Sequence, residues 1–193
     1  MKKRITLILA AILVCVMAFA MTACGGGSNG GGSNGGGSKG TTLDVGDFTV
    51  EVPSGWKSFE STDMFGEQDA EGNYPVKTDQ IYLVKGGKSE FDVFSKPCVT
   101  VTYYANETVE SQTTGLSWFV DEMTEKEFSA QGIECTAIET KTESFLEEGT
   151  FDTAYYIYMP LSEGGLFSAN FSGEELNLED AGVKTIMESL TLK

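Results

Sequence analysis

From about residue 43 onward, apolar and polar residues alternate in short runs separated by glycine, proline and acidic pairs, and these runs read as strands. Phe48, Val50 and Val52 lie on one side of a first run and Thr49 and Glu51 on the other, the pattern of a half-buried strand. Pro53-Ser54-Gly55 turns the chain, and Trp56-Lys57-Ser58-Phe59 begins a second strand. Residues 61–78 are polar, with Gly66, Gly72 and Pro75, and read as a long loop. Asp69-Ala70-Glu71-Gly72-Asn73 within it has neither the spacing nor the bidentate Glu of an EF-hand, and reads as a plain acidic turn. Ile81-Tyr82-Leu83-Val84 is a third strand stopped by Gly86-Gly87, and residues 89–95 suit a short helical turn. Val99-Thr100-Val101-Thr102-Tyr103-Tyr104, rich in β-branched and aromatic residues, is a fourth strand.

The spacing then predicts a helix over residues 114–130. Leu116, Phe119, Val120, Met123 and Ala130 fall on its apolar face, Glu122 and Lys126 form an i,i+4 pair, and Gly132 ends it. Trp118 lies on the opposite face of that helix, either as a partner contact or under a loop. Four strand-like runs follow, at residues 133–140, 142–147, 151–159 and 166–171, with Glu147-Glu148-Gly149 and Gly164-Gly165 as turns. The run Thr153-Ala154-Tyr155-Tyr156-Ile157-Tyr158 is apolar or aromatic on both faces. It therefore predicts a central strand with helices covering both sides, an α+β fold of the α/β/α sandwich kind. A final helix is expected from an N-cap near Asn177, burying Val183, Ile186, Met187 and Leu190.

The first 40 residues have a different pattern. Lys2, Lys3 and Arg4 precede an uncharged apolar run over residues 5–21, which ends in Met21-Thr22-Ala23-Cys24. Residues 25–40 are then almost entirely Gly, Ser and Asn. The junction resembles the bacterial lipobox: a signal peptide over residues 1–23, cut before a Cys that takes a diacylglycerol on sulfur, with further acylation of the new N-terminus. The resemblance implies lipidation at Cys24 and an anchor on the extracytoplasmic face of the cell membrane. Two or more acyl chains are what stable anchoring requires. A permanent membrane helix and an ordinary secretory signal are the alternatives; the placement of Cys24 where the apolar run meets the linker favours the lipobox. Residues 24–40 have no apolar side chain large enough to offset ordering entropy, so they read as a flexible tether. Its root-mean-square span is roughly 20–25 Å and its limit about 55 Å.

Residues 41–193 remain as one globular domain, large enough for a core and expected to be monomeric. After residue 23 the chain has 10 basic and 29 acidic residues, a net charge of −19, with no Arg and no His. That composition argues against nucleic-acid binding, which needs a basic patch. It excludes His-based catalysis and His metal sites. No cofactor or metal is expected, and Glu147-Glu148 and Glu174-Glu175 read as solvated charges rather than a glycosidase pair. No Gly-x-Ser-x-Gly elbow is present. Cys98 and Cys135 each sit in a strand-like run; they are either two buried free thiols or a disulfide, which an exported compartment permits.

The opening Phe48-Thr49-Val50-Glu51-Val52-Pro53-Ser54-Gly55-Trp56, with the ending Leu166-Phe167-Ser168-Ala169-Asn170-Phe171 and Ile186-Met187-Glu188-Ser189-Leu190, resembles the PsbP-like domain. That fold also includes a yeast nuclear-transport factor. The resemblance spans roughly residues 43–193 and implies a mainly antiparallel sheet between helices; it carries no activity across. Together these readings give an anchored, non-enzymatic binding or accessory domain, whose partners are the membrane and an envelope protein or wall component. A small-solute-binding lipoprotein and a His-independent envelope enzyme are the alternatives, and one short domain argues against the solute-binding reading.

Overall fold

The computed structural model describes residues 40–144 and 147–193. The expected signal, Cys24 and nearly all of the expected tether lie outside the described residues. Residues 68–73 belong to a different compact unit from the rest of the described chain. By itself that segment is a tight acidic turn: Asp69 accepts hydrogen bonds from the backbone of Glu71 and Asn73 and from the Asn73 side chain.

The main unit is built on a seven-stranded, wholly antiparallel sheet. Its strands are β3 (Trp56–Thr62), β4 (Val76–Lys85), β5 (Cys98–Tyr104), β6 (Glu122–Ala130), β7 (Ile133–Glu143), β8 (Phe151–Pro160) and β9 (Leu166–Ser172), in the order β3-β4-β5-β9-β8-β7-β6. A smaller sheet pairs β1 (Thr41–Asp44) and the short β10 (Thr191–Leu192) with the two edges of β2 (Phe48–Val52). Two α-helices complete the unit, α1 (Val109–Leu116) and α2 (Ala181–Ser189), with a 3-10 turn at Glu90–Phe94 between β4 and β5.

The register shows why the alternation in the sequence matters. Ile81, Val101, Ala169, Ile157 and Ala137 stand opposite one another across five strands, so their side chains form one continuous apolar row. On that face α2 and the small sheet close the main core: Val183, Ile186 and Met187 from the helix, and Phe48 and Val50 from β2, are fully buried. Phe48 meets Phe167 edge-on, with ring centroids 5.4 Å apart. The backbone N–H of Glu51 donates to Ser189 Oγ and ties the small sheet to the end of α2. On the opposite face a smaller cluster of Ile138, Tyr158 and Leu166 is covered by Val109 and Leu116 of α1.

β8 has β9 on one side and β7 on the other, with Ile157 and Met159 in the main core and Tyr158 in the second cluster. This is the interior strand that the two-sided apolar pattern predicts. The Pro53-Ser54-Gly55 turn is also where expected, closed by the Trp56 N–H donating to the Pro53 carbonyl, with Gly55 at φ +79°.

Several elements differ from the sequence reading; β4 already starts at Val76, inside the stretch expected as a loop, and α1 starts at Val109, before the helix expected from residue 114. The helix expected over residues 114–130 is absent: α1 ends at Leu116, and Glu122–Ala130 is the edge strand β6. The hairpin to β7 decides this. Ala130 pairs with Ile133 across a two-residue turn, Gln131 at φ +55° and Gly132 at φ +73°, the left-handed geometry that joins antiparallel strands. Gly132 is thus a hairpin residue rather than a helix stop. Residues 133–140 and 142–147, expected as two strands, begin as one continuous strand, β7, ending at Glu143. The last helix starts three residues later than expected: Asp180 is its N-cap, while Asn177 accepts from the Glu179 N–H in the preceding turn.

Candidate functional site

The candidate site is the turn that joins α1 to β6. Thr108 opens α1 by accepting the Ser111 N–H on its hydroxyl, while the Ser111 hydroxyl accepts the Thr108 N–H. The helix is short and ends in Thr113-Thr114-Gly115, a poor helix-forming sequence. The chain then tightens: the N–H groups of Ser117, Trp118 and Phe119 donate to the carbonyls of Thr113, Gly115 and Leu116. Beyond the turn, Asp121 clamps the sheet from both of its ends. Its N–H donates to the Lys141 carbonyl at 2.9 Å, and its carboxylate accepts the Glu143 N–H at 2.8 Å.

The turn is therefore held at both ends and presents its apolar residues to solvent. Trp118 is 81% exposed and Phe119 is 64% exposed. Met123, on the same sheet face as α1, adds to them. Asp121 and Glu125 stand beside this apolar centre, while Glu122, on the opposite face of β6, engages Lys141 at 3.4 Å. An aromatic centre with an acidic rim is the chemistry of a surface for an apolar partner with basic edges.

Of the residues singled out in the sequence, Trp118 is in this site, but on a turn rather than on a helix face. Phe119 and Met123, which the helical reading assigned to the core, belong to the exposed surface beside it. The signal that would have found them is Gln131-Gly132 followed by period-two alternation on both sides, a hairpin signature.

Cys98 and Cys135 are both free thiols. Cys98 shares the sheet face of Val84 and Tyr82, while Cys135 sits with the main core on the other face, and β9 and β8 run between their strands. Three strand spacings amount to about 14 Å, well beyond disulfide range. The pairing left open by the sequence is thus excluded in this fold. Burial pushes the Cys98 thiol up to about 11 and raises that of Cys135 too. Neither is a ready nucleophile.

A concavity of about 530 Å³ lies between β6, β7 and the start of α2 and includes Lys126, Phe128, Cys135, Glu179 and Lys184. Its lysines are both committed: Lys126 lies 3.4 Å from Glu139, which also accepts the Tyr155 hydroxyl, and Lys184 bonds Glu179. Tyr104, Tyr156 and Tyr158 on the other face have their hydroxyls pushed up in pKa, first of all by burial. Among the described residues, no group of three or more His, Cys, Asp and Glu side chains is placed to hold a metal ion. No helix among them is long and apolar enough to cross a membrane.

No protein-family profile matches the chain, and no curated protein sequence matches it.

Proposed function

We propose that this protein is a lipid-anchored lipoprotein of the extracytoplasmic membrane face, and that its domain is a non-enzymatic binding module for an envelope protein or wall component. We read the fold as a PsbP-like α/β/α sandwich. Placement of α1 and α2 against opposite faces of the antiparallel sheet supports that reading. The anchor rests on Met21-Thr22-Ala23-Cys24 and the Gly-rich tether that follows. The observation that carries the binding reading is Trp118, exposed on a turn that hydrogen bonds fix at both ends. A large aromatic residue on a preorganised turn loses little entropy on binding and is a common anchor of protein interfaces.

A photoreactive residue at position 118 in the full-length protein, activated in cells, tests this. It should capture one dominant partner, and purified W118A should bind that partner at least tenfold more weakly while unfolding at the same urea concentration. Equal binding by W118A removes the surface, and turnover of a substrate by the purified protein removes the module reading. Cys24→Ala should leave an unprocessed precursor that takes up no fatty-acid analogue.

A further inference from the structure

The 3-10 turn Glu90–Phe94 lies at one end of the sheet, between β4 and β5, and none of its residues is buried. Phe91 is 65% exposed and Phe94 is 67% exposed. These rings are not on a loose loop. Asp92 accepts the N–H groups of Lys88 and Ser89 and the ammonium of Lys96, and the same Lys96 ammonium donates to the Gly86 carbonyl. The turn is pinned to the strand ends with both phenyl groups pointing outward.

The charge around it is opposite to that of the chain. Segments 53–58 and 84–98 hold four lysines, Lys57, Lys85, Lys88 and Lys96, against Glu90 and Asp92, and Asp180 joins them in space; Lys85 pairs with Asp180 and Lys96 with Asp92, so a net excess of one positive charge remains, from Lys57 and Lys88 against Glu90. The rest of residues 24–193 holds six lysines against 27 acidic residues. The lysines converge from separate strands, with the Lys57 ammonium 3.5 Å from the Lys88 carbonyl. Two outward phenyl rings flanked by Lys57 and Lys88 match the interface of an anionic bilayer, where aromatic rings sit at headgroup level and lysines meet lipid charge.

The tether leaves from the same corner. Gly40, the first described residue, donates its N–H to Glu51, and Thr41 pairs with Val52. Three residues further on, the Gly55 carbonyl accepts the Gly86 N–H at 2.7 Å. The first described residue is thus linked through residues 52–55 to Gly86, at the end of β4 from which the turn leaves. On the tether reading of residues 24–40, such a leash would keep this corner at high effective concentration near lipid, so a weak contact suffices.

We propose that Phe91 and Phe94, flanked by Lys57 and Lys88, dock onto the anionic bilayer surface and so orient the anchored domain. The proposal rests on the anchoring reading above. The test uses the full-length protein in its own membrane, with a photoreactive phenylalanine at position 91, 94 or 65. Phe65 is fully exposed but sits in the β3–β4 connection, at the other end of the strands. Lipid adducts, read by mass spectrometry, should be at least tenfold more abundant at 91 and 94 than at 65, and K88E should lower them several-fold. Absence of lipid adducts at 91 and 94, while Cys24 takes up a fatty-acid analogue, overturns the docking surface and leaves the anchor intact. Equal yield at 65 overturns the orientation, and protein adducts in place of lipid overturn the choice of occupant. Lipid adducts at 91 and 94 with no label on Cys24 keep the docking surface and remove the anchor.

Discussion

The side-chain amide of Gln131 donates to the backbone carbonyl of Leu190 at 2.8 Å, joining the β6–β7 hairpin to the C-terminal end of α2. The same nitrogen reaches the Met187 carbonyl at 3.0 Å, and the Gln131 N–H donates to the Glu188 carboxylate. A helix leaves its last carbonyls without intrahelical partners, and here a residue 59 positions earlier supplies donors for two of them. The edge strand and the terminal helix are thus fastened by one side chain in a left-handed turn.

Q131A removes both side-chain bonds and keeps a Cβ at φ +55°. At about 0.5–1.5 kcal/mol per bond, it should cost roughly 1–3 kcal/mol. Q131G loses the same bonds but relieves the left-handed backbone, so it should be less destabilised than Q131A by several tenths of a kcal/mol. Urea unfolding of the two variants decides it: midpoints should fall with unchanged slope. Wild-type stability in Q131A would show that the helix end is satisfied by water instead.

Asp180 gives the opposite end of α2 its cap and a pH dependence. Its carboxylate accepts the N–H groups of Gly182 and Val183 and pairs with Lys85 at 2.9 Å. Burial works to raise its pKa, but the Lys85 bond and charge and the two N–H groups outweigh burial and hold it below the usual carboxylate value. A depressed folded pKa means the stabilisation is present above the unfolded value of about 3.9 and is lost as pH falls through the folded one. D180N keeps the cap and loses the charge, so it should be less stable than wild type by about 0.2–1 kcal/mol at pH 7. The two proteins should converge as pH falls from about 4 toward 2. A gap that persists at pH 2 would show that the carboxylate's charge is not what Asp180 contributes.

The strands were legible because their cause is local. Alternation at Phe48, Val50 and Val52, two-sided burial at residues 153–158, and turn residues at 53–55 need no knowledge of the rest of the fold. The helical apolar face at Val183, Ile186, Met187 and Leu190 was legible for the same reason, and all four are buried. Residues 119–130 were misread because Leu116, Phe119, Val120 and Met123 satisfy helical spacing while half of them are solvent-exposed. A pattern of apolar positions signals an element only when those positions face a core. At Phe119 and Met123 that assumption fails, and it fails in the candidate site, where surface chemistry overrides the folding pattern. The 3-10 turn was foreseen as a short helical turn. The convergence of Lys57 with Lys88 and Lys96 was not, because it comes from strand pairing between distant segments.

Both cysteines should behave as inert core residues. In the folded protein at pH 8 a thiol pushed up to about 11 is almost wholly protonated, so Cys98 should resist Ellman's reagent until urea unfolds the chain. Peptide mapping after mild oxidation should find no linkage between Cys98 and Cys135, since they occupy opposite sheet faces. A Cys98–Cys135 peptide in appreciable yield would require a different strand order.

Gly182 provides the sharpest test of how α2 is seated. It lies in the first turn of the helix, directly against the Trp56 indole, and a Cβ built there would stand 2.6 Å from that ring. Trp56 begins β3 straight after the Pro53-Ser54-Gly55 turn, so the indole locks the main sheet, the turn and the helix start together. By helix propensity alone, Gly→Ala should stabilise by up to about 1 kcal/mol. The indole opposes this: it is a rigid, partly buried ring packed against the core, and overpacking typically costs about 1–3 kcal/mol. G182A should therefore destabilise, and the double variant G182A/W56F, with a smaller ring, should recover part of the loss relative to W56F alone. A double-mutant cycle measured by urea unfolding gives the coupling directly. Stabilisation by G182A, or strict additivity in the cycle, would show that Trp56 yields freely and that α2 is seated by its Val183, Ile186 and Met187 face alone.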